Sequence, residues 1–116
     1  SFHAAERVGN AVAGALERHD AVIIASTDMT HYEHPKVALR QDNILIERIE
    51  AMDPEGLIRE REARGISMCG VAPVAAALLA CKSLGATSAE KIAYSTSGDV
   101  MPSGSVVGYL SAKIVR

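Results

Sequence analysis

Residues 21–35 read AVIIASTDMTHYEHP, and the interpretation of this stretch decides the fold. Its first five residues, Ala21, Val22, Ile23, Ile24 and Ala25, are apolar without a break. A short β-branched run lacking alternation suits a strand covered on both faces of a parallel sheet. The run then passes abruptly into small and polar residues that bring Asp28, His31 and His34 within a few positions of one another. Open α/β sheets place their ligands just beyond the carboxyl ends of such strands. The expected architecture is therefore α/β: a layered, central mixed sheet with a buried strand at 21–26, flanking helices and a carboxyl-terminal antiparallel strand pair. A plainer reading makes Asp28 and Thr30 caps of the next helix and His31 an ordinary loop histidine. The clustering of these side chains favours chemistry over capping.

Composition excludes several classes of function. With 116 residues, 48% of them hydrophobic, the chain can enclose one core and is expected to form one domain. Twelve basic residues against 14 acidic ones offer no surface for a polyanion. One Phe, three Tyr and no Trp leave little aromatic surface on which bases could stack. The two cysteines, Cys69 and Cys81, are too few for a disulfide framework and suit a reducing compartment. No apolar run approaches membrane-spanning length, and no basic segment leads into an apolar one. These features predict a cytoplasmic protein that binds neither nucleic acid nor membrane.

Upstream of the central stretch, Phe2, Ala5, Val8, Val12, Ala15 and Leu16 recur at helical spacing, and Gly9 and Gly14 would let this helix approach a neighbour. No strand precedes it, although a layered α/β domain would normally supply one, so the chain reads as a piece of something larger. Downstream, Pro35 opens a helix running to about Met52, with Val37, Ile44, Leu45, Ile49 and Met52 on its buried stripe. Asp53-Pro54-Glu55 combines a capping aspartate, a first-turn proline and an acid near the positive helix end. The short charged helix that follows runs to about Arg64, and Gly65 closes it in a left-handed conformation.

Gly65-Ile66-Ser67-Met68-Cys69-Gly70 is the second informative stretch. Residues 71–84 are apolar nearly all round, as in a helix buried on more than one side, and Pro73 falls in its first turn. Cys69 therefore lies at the amino end of a buried helix, where free backbone N–H groups favour a thiolate. Cys81, inside the apolar helix, reads as a packing residue. Thr87-Ser88-Ala89-Glu90 reads as a turn or weak capping box, followed by strands over 91–97 and 105–115 joined by the loop 98–104. Gly108 inside the last strand marks a bulge or a close backbone approach.

Four motifs carry a family resemblance: Ile24-Ala25-Ser26-Thr27-Asp28-Met29-Thr30-His31-Tyr32; Asp53-Pro54-Glu55-Gly56; Ile66-Ser67-Met68-Cys69-Gly70 with Pro73; and Ser97-Gly98-Asp99 with Ser105-Val106-Val107-Gly108-Tyr109. In order and in content they resemble the Memo family, whose bacterial and archaeal members are called AmmeMemoRadiSam system protein B. The resemblance implies a fold related to the class III extradiol dioxygenases, which are non-haem iron enzymes. It also implies a pocket of histidines, an aspartate and a cysteine. Carried over by motif, Asp28, His31 and Cys69 are the candidate catalytic residues. His31 and Cys69 are the candidate ligands of an iron or copper ion, with Asp28 orienting the imidazole.

Two further pocket histidines of the family lie upstream of the matched portion, and neither His3 nor His19 has the context to replace them. The resemblance thus covers the carboxyl-terminal portion of a family member, less than half of one. It implies radical-SAM and AMMECR-type proteins as partners, and an uncovered apolar face suited to self-association. Two functions follow: a metal-dependent redox enzyme of the dioxygenase kind, or a non-catalytic module that binds a peptide or protein through the same pocket.

Overall fold

Helix α4 (Val71–Ser83) packs against the first and third helices. Its sequence, VAPVAAALLACKS, has no polar face, and Ala75, Ala76, Ala77, Leu78 and Ala80 are all buried. The computed structural model describes residues 2–17, 23–25, 27–101 and 104–115. Within them, α1 (Phe2–Leu16), α2 (Pro35–Glu50), α3 (Pro54–Arg64) and α4 precede the strands β1 (Ser88–Thr96) and β2 (Gly108–Val115). This is a mixed α/β globule of four helices and one antiparallel strand pair. None of the helices is long and apolar enough to cross a membrane among the described residues.

Small residues set the distance between α1 and α4. A Cβ added to Gly9 would stand 2.8 Å from the Ala76 carbonyl oxygen and 2.8 Å from the Leu79 Cβ. Gly9 is thus the close approach expected of this helix, whereas Gly14 faces open space and plays no such part. The junctions of α3 follow their local chemistry. Asp53 Oδ1 accepts from the Gly56 N–H at 2.9 Å, Pro54 takes the first helical position and Gly65 ends the helix at φ 62°. The larger core gathers Met29, Leu45, Ile49, Leu57, Met68 and Leu78 between α2, α3, α4 and the loops. Val37 and Ile44, expected on the stripe of α2, are half-buried, and Ala38, Asp42 and Ile46 take the interior positions instead.

The strand pair is antiparallel as expected, but β1 begins three residues earlier than 91 and β2 three residues later than 105. β1 starts at Ser88, so residues 87–90 lead directly into the strand and do not form a capping box. Thr96 instead forms a capping box with Asp99, in a 3-10 turn that closes β1.

The central buried strand is the main correction. Ala21, Val22 and Ser26 lie outside the described residues, but Ile23, Ile24 and Ala25 carry no strand pairing, and Ile24 is 86% exposed. The sheet among the described residues has two strands and no parallel neighbour for this segment. An extended run becomes a strand only when a partner supplies the ladder. Apolar grooves of about 580 and 390 Å³ are both lined by Ile23, Ile24 and Ala25, leaving this apolar segment open.

The residues just downstream do find partners. The Met29 N–H donates to the Gly108 carbonyl, and the Gly108 N–H donates to the Thr30 carbonyl, both at 2.9 Å. Glu33 and Val106 form an antiparallel bridge one step further on. Two residues opposing one is the pattern of a bulge, and bulges re-aim the side chains beside them. The loop at 29–33 is therefore laid along the start of β2.

One polar cluster lies inside this frame. Asp42 of α2 is fully buried and accepts from the Thr30 N–H (2.9 Å), the Thr30 hydroxyl (2.7 Å) and the Tyr94 phenol of β1. Gly108 makes room for it, since a Cβ there would lie 2.1 Å from Asp42 Oδ2. Burial first, and then the Asp42 carboxylate beside it, hold the Tyr94 phenol well above its ordinary value.

Two measurements check this packing. In urea titrations Gly9→Ala should destabilise the chain by about 1–3 kcal/mol through overpacking, whereas Gly14→Ala should stabilise it by roughly 0.5–1 kcal/mol. The second is alkaline unfolding. Folded Tyr94 retains a proton that the unfolded chain releases above about pH 10, so its contribution is complete below that range and is lost above it. Tyr94→Phe should flatten the loss of stability between roughly pH 10 and 12; an unchanged alkaline slope would contradict the assignment.

Candidate functional site

The loop that bears Asp28 and His31 is anchored by its alternate residues. Met29 and Thr30 are fully buried, which leaves Asp28 exposed and His31 half-buried at the surface. The polar groups of Thr30 are all engaged: N–H and hydroxyl on Asp42, carbonyl on Gly108. The His31 N–H donates to Ser67 Oγ at 2.8 Å. The backbone is thus held on both sides of the imidazole.

Cys69 arrives from the opposite direction in sequence by the same device. Ile66 and Met68 are buried and tie the segment 66–70 to the core, so Cys69 between Met68 and Gly70 faces solvent. The amino end of α4 has Gly70 as its cap residue and no capping side chain of its own. Thr27 supplies the missing acceptor: its Oγ1 receives the Gly70 N–H at 2.7 Å and lies 3.8 Å from Cys69 Sγ. The same hydroxyl donates to the Asp28 carbonyl at 2.8 Å. Thr27 therefore joins the two segments that carry the candidate residues.

The result brings Asp28, His31 and Cys69 together, with one ligand atom of each within 4.8 Å of the others. His31 Nε2 stands 3.4 Å from Asp28 Oδ2, with side-chain exposures of 25% and 50%. Donor atoms around one tetrahedral ion with bonds of about 2.0–2.3 Å are separated by roughly 3.3–3.7 Å. The aspartate–histidine distance matches that spacing, and the overall spread is somewhat wider. An imidazole nitrogen, a thiol sulfur and a carboxylate oxygen form a donor set suited to iron, copper or zinc. Three donors at the surface also leave coordination positions open, unlike a closed structural site.

The other candidates fall elsewhere. His34 is the cap of α2, its Nδ1 accepting from the Lys36 N–H at 3.1 Å, so the capping role expected of Asp28 or Thr30 belongs to it. His3 is exposed beside Glu6, and His19 lies outside the described residues. Cys81 is half-buried in α4 on the wall of the larger apolar groove, and burial pushes its thiol up. Neither groove is lined by Asp28, His31 or Cys69. Sequence reasoning missed Thr27, Ser67 and Asp42 as supports, because each acts on a residue 12 or more positions away.

Nearly the whole chain is similar to proteins of one family. The family model described as Memo-like protein matches residues 1–113. A MEMO1 family protein of Methanopyrus kandleri is 47% identical over 108 residues, covering 90% of this chain and 38% of the relative. One from Nitrosopumilus maritimus is 42% identical over 116 residues, covering 99% and 42%. A third, from Saccharolobus solfataricus, is 34% identical over 113 residues, covering 94% and 39%. The chain spans about two fifths of the length of these relatives. Matched almost from end to end by the family model and by these relatives, the chain belongs to the Memo family.

Proposed function

We propose that this chain carries part of a redox-metal site of the kind used by non-haem dioxygenases, with His31 and Cys69 as ligands. The observation that carries the reading is the convergence of Asp28, His31 and Cys69 within 4.8 Å from segments about forty residues apart. His31 would supply Nε2, the deprotonated Cys69 would supply sulfur, and Asp28, whose Oδ2 lies beside that same nitrogen, would add a third donor. Iron or copper bound there would supply one-electron chemistry. The chain's own residues fix the donors and keep one side open to a small substrate. Further donors would come from the longer polypeptide of full-length relatives. The alternative of a peptide-binding module using the same residues is weaker, because none of the three is among the residues lining either apolar groove.

Anaerobic titration with Co(II), a spectroscopic substitute for Fe(II), tests the reading. Binding of one ion per chain with a thiolate charge-transfer band is expected. Cys69→Ser should abolish the band, and His31→Ala should weaken binding by about tenfold or more. A band that survives in Cys69→Ser would overturn the assignment.

The two thiols should also differ in reactivity. A soluble thiol reagent at pH 7 should label exposed Cys69 first, and Cys69→Ser should remove the fast phase. Because burial raises the Cys81 thiol, its labelling should accelerate on raising the pH through and beyond about 8.5, where an unperturbed thiol ionises. Faster labelling of Cys81 at neutral pH would make Cys69 the packing residue.

A further inference from the structure

A carboxylate with no solvent exposure is an expensive choice if the only purpose is stability. Apolar side chains of similar volume commonly serve a core as well or better than a buried charge. Asp42 has no exposure at all, and its acceptor positions are directed at particular groups. Oδ1 takes both donors of Thr30, the residue immediately before His31, while Oδ2 takes the phenol of Tyr94. Gly108 both leaves the space for Oδ2 and bonds the Thr30 carbonyl. Three elements, α2, β1 and the start of β2, therefore meet at the residue from which the imidazole departs. On the other side of that departure point, the His31 N–H is bound by Ser67, two residues before Cys69.

We infer that Asp42 is a positioning residue of the candidate site: by fixing Thr30 it sets the backbone at 30–31 and so aims His31 at Asp28 and Cys69. It touches none of the three itself. The functional meaning of this inference rests on the metal reading above, but the geometric part does not. Tyr94 serves the same end one step removed, holding the Asp42 carboxylate in the orientation that Thr30 needs. Thr30→Val would break the hydroxyl bond alone, Asp42→Leu all three bonds, and Asp42→Asn would keep an acceptor for Thr30.

The test uses the 116-residue chain and two readouts. In the metal-free protein, amide exchange of His31 should accelerate at least about tenfold in Asp42→Leu while amides in the middle of α4 keep their protection, and Asp42→Asn should restore most of the loss. With Co(II), Asp42→Leu should weaken binding by about 10–100-fold and alter the ligand-field spectrum, with partial recovery in Asp42→Asn. If Asp42→Leu does not fold, Thr30→Val carries both readouts in the same directions. A His31 amide as protected as in the wild type overturns the inference outright. Faster exchange with unaltered Co(II) affinity and spectrum reduces Asp42 to a structural role and also overturns it. A wild-type chain that binds no Co(II) refutes the metal reading alone, and the exchange experiment still decides the position of His31.

Discussion

Asp42 ties distant parts of this structure together, because a carboxylate without solvent exposure must be met by donors from the protein. Those donors come from Thr30 and Tyr94, residues 12 and 52 positions away in sequence. The helix bearing Asp42 cannot shift without stranding the charge, and the loop bearing Thr30 cannot shift without losing its acceptor. Gly108 is drawn into the same constraint from the strand side, where any side chain would collide with the carboxylate. One helix, a loop and two strands are thus brought into register by one buried group. Breaking such a group costs far more than replacing it with a well-packed apolar one.

The candidate site inherits its order from that constraint and from a second, smaller one. Thr27 accepts the free N–H at the start of α4 and so ties the Cys69 segment to the Asp28 loop. Each exposed reactive side chain then sits next to a buried residue: Asp28 beside Met29, His31 beside Thr30, Cys69 beside Met68. Surface chemistry mounted on core residues in this way can be accessible and still hold its geometry. Tyr32, with a positive φ of 57° and a ring 6.0 Å from that of His31, marks where the chain turns away from the cluster.

How much of this could be read in advance depends on the range of the interaction concerned. The ends of α3 were legible because caps are local: Asp53, Pro54 and Gly65 act on backbone groups within one turn. Asp28 and His31 were legible as candidates because they crowd together behind an apolar run, and Cys69 because glycine and a helix start flank it. Their convergence was not, since nothing near Cys69 records that Thr27 will receive the N–H of Gly70. Asp42 was illegible for the same reason, a charge whose partners are all distant. The run at 21–25 misled in the opposite way. Its residues suit a buried strand, but a strand is a property of a pair, and among the described residues Ile23–Ala25 have no ladder partner. Gly9 and Gly14 look alike in sequence, and only the position of α4 distinguishes them.

The proposed metal site stands on one point: that a nitrogen from His31 and a sulfur from Cys69 bind the same ion. X-ray absorption at the metal edge of the Co(II)-loaded chain measures that directly, because sulfur is distinguished from nitrogen and oxygen by distance and scattering strength. The account predicts a single sulfur scatterer at about 2.3 Å together with nitrogen and oxygen at about 2.0–2.1 Å. A first shell of nitrogen and oxygen alone, with no sulfur in the wild-type chain, would contradict it.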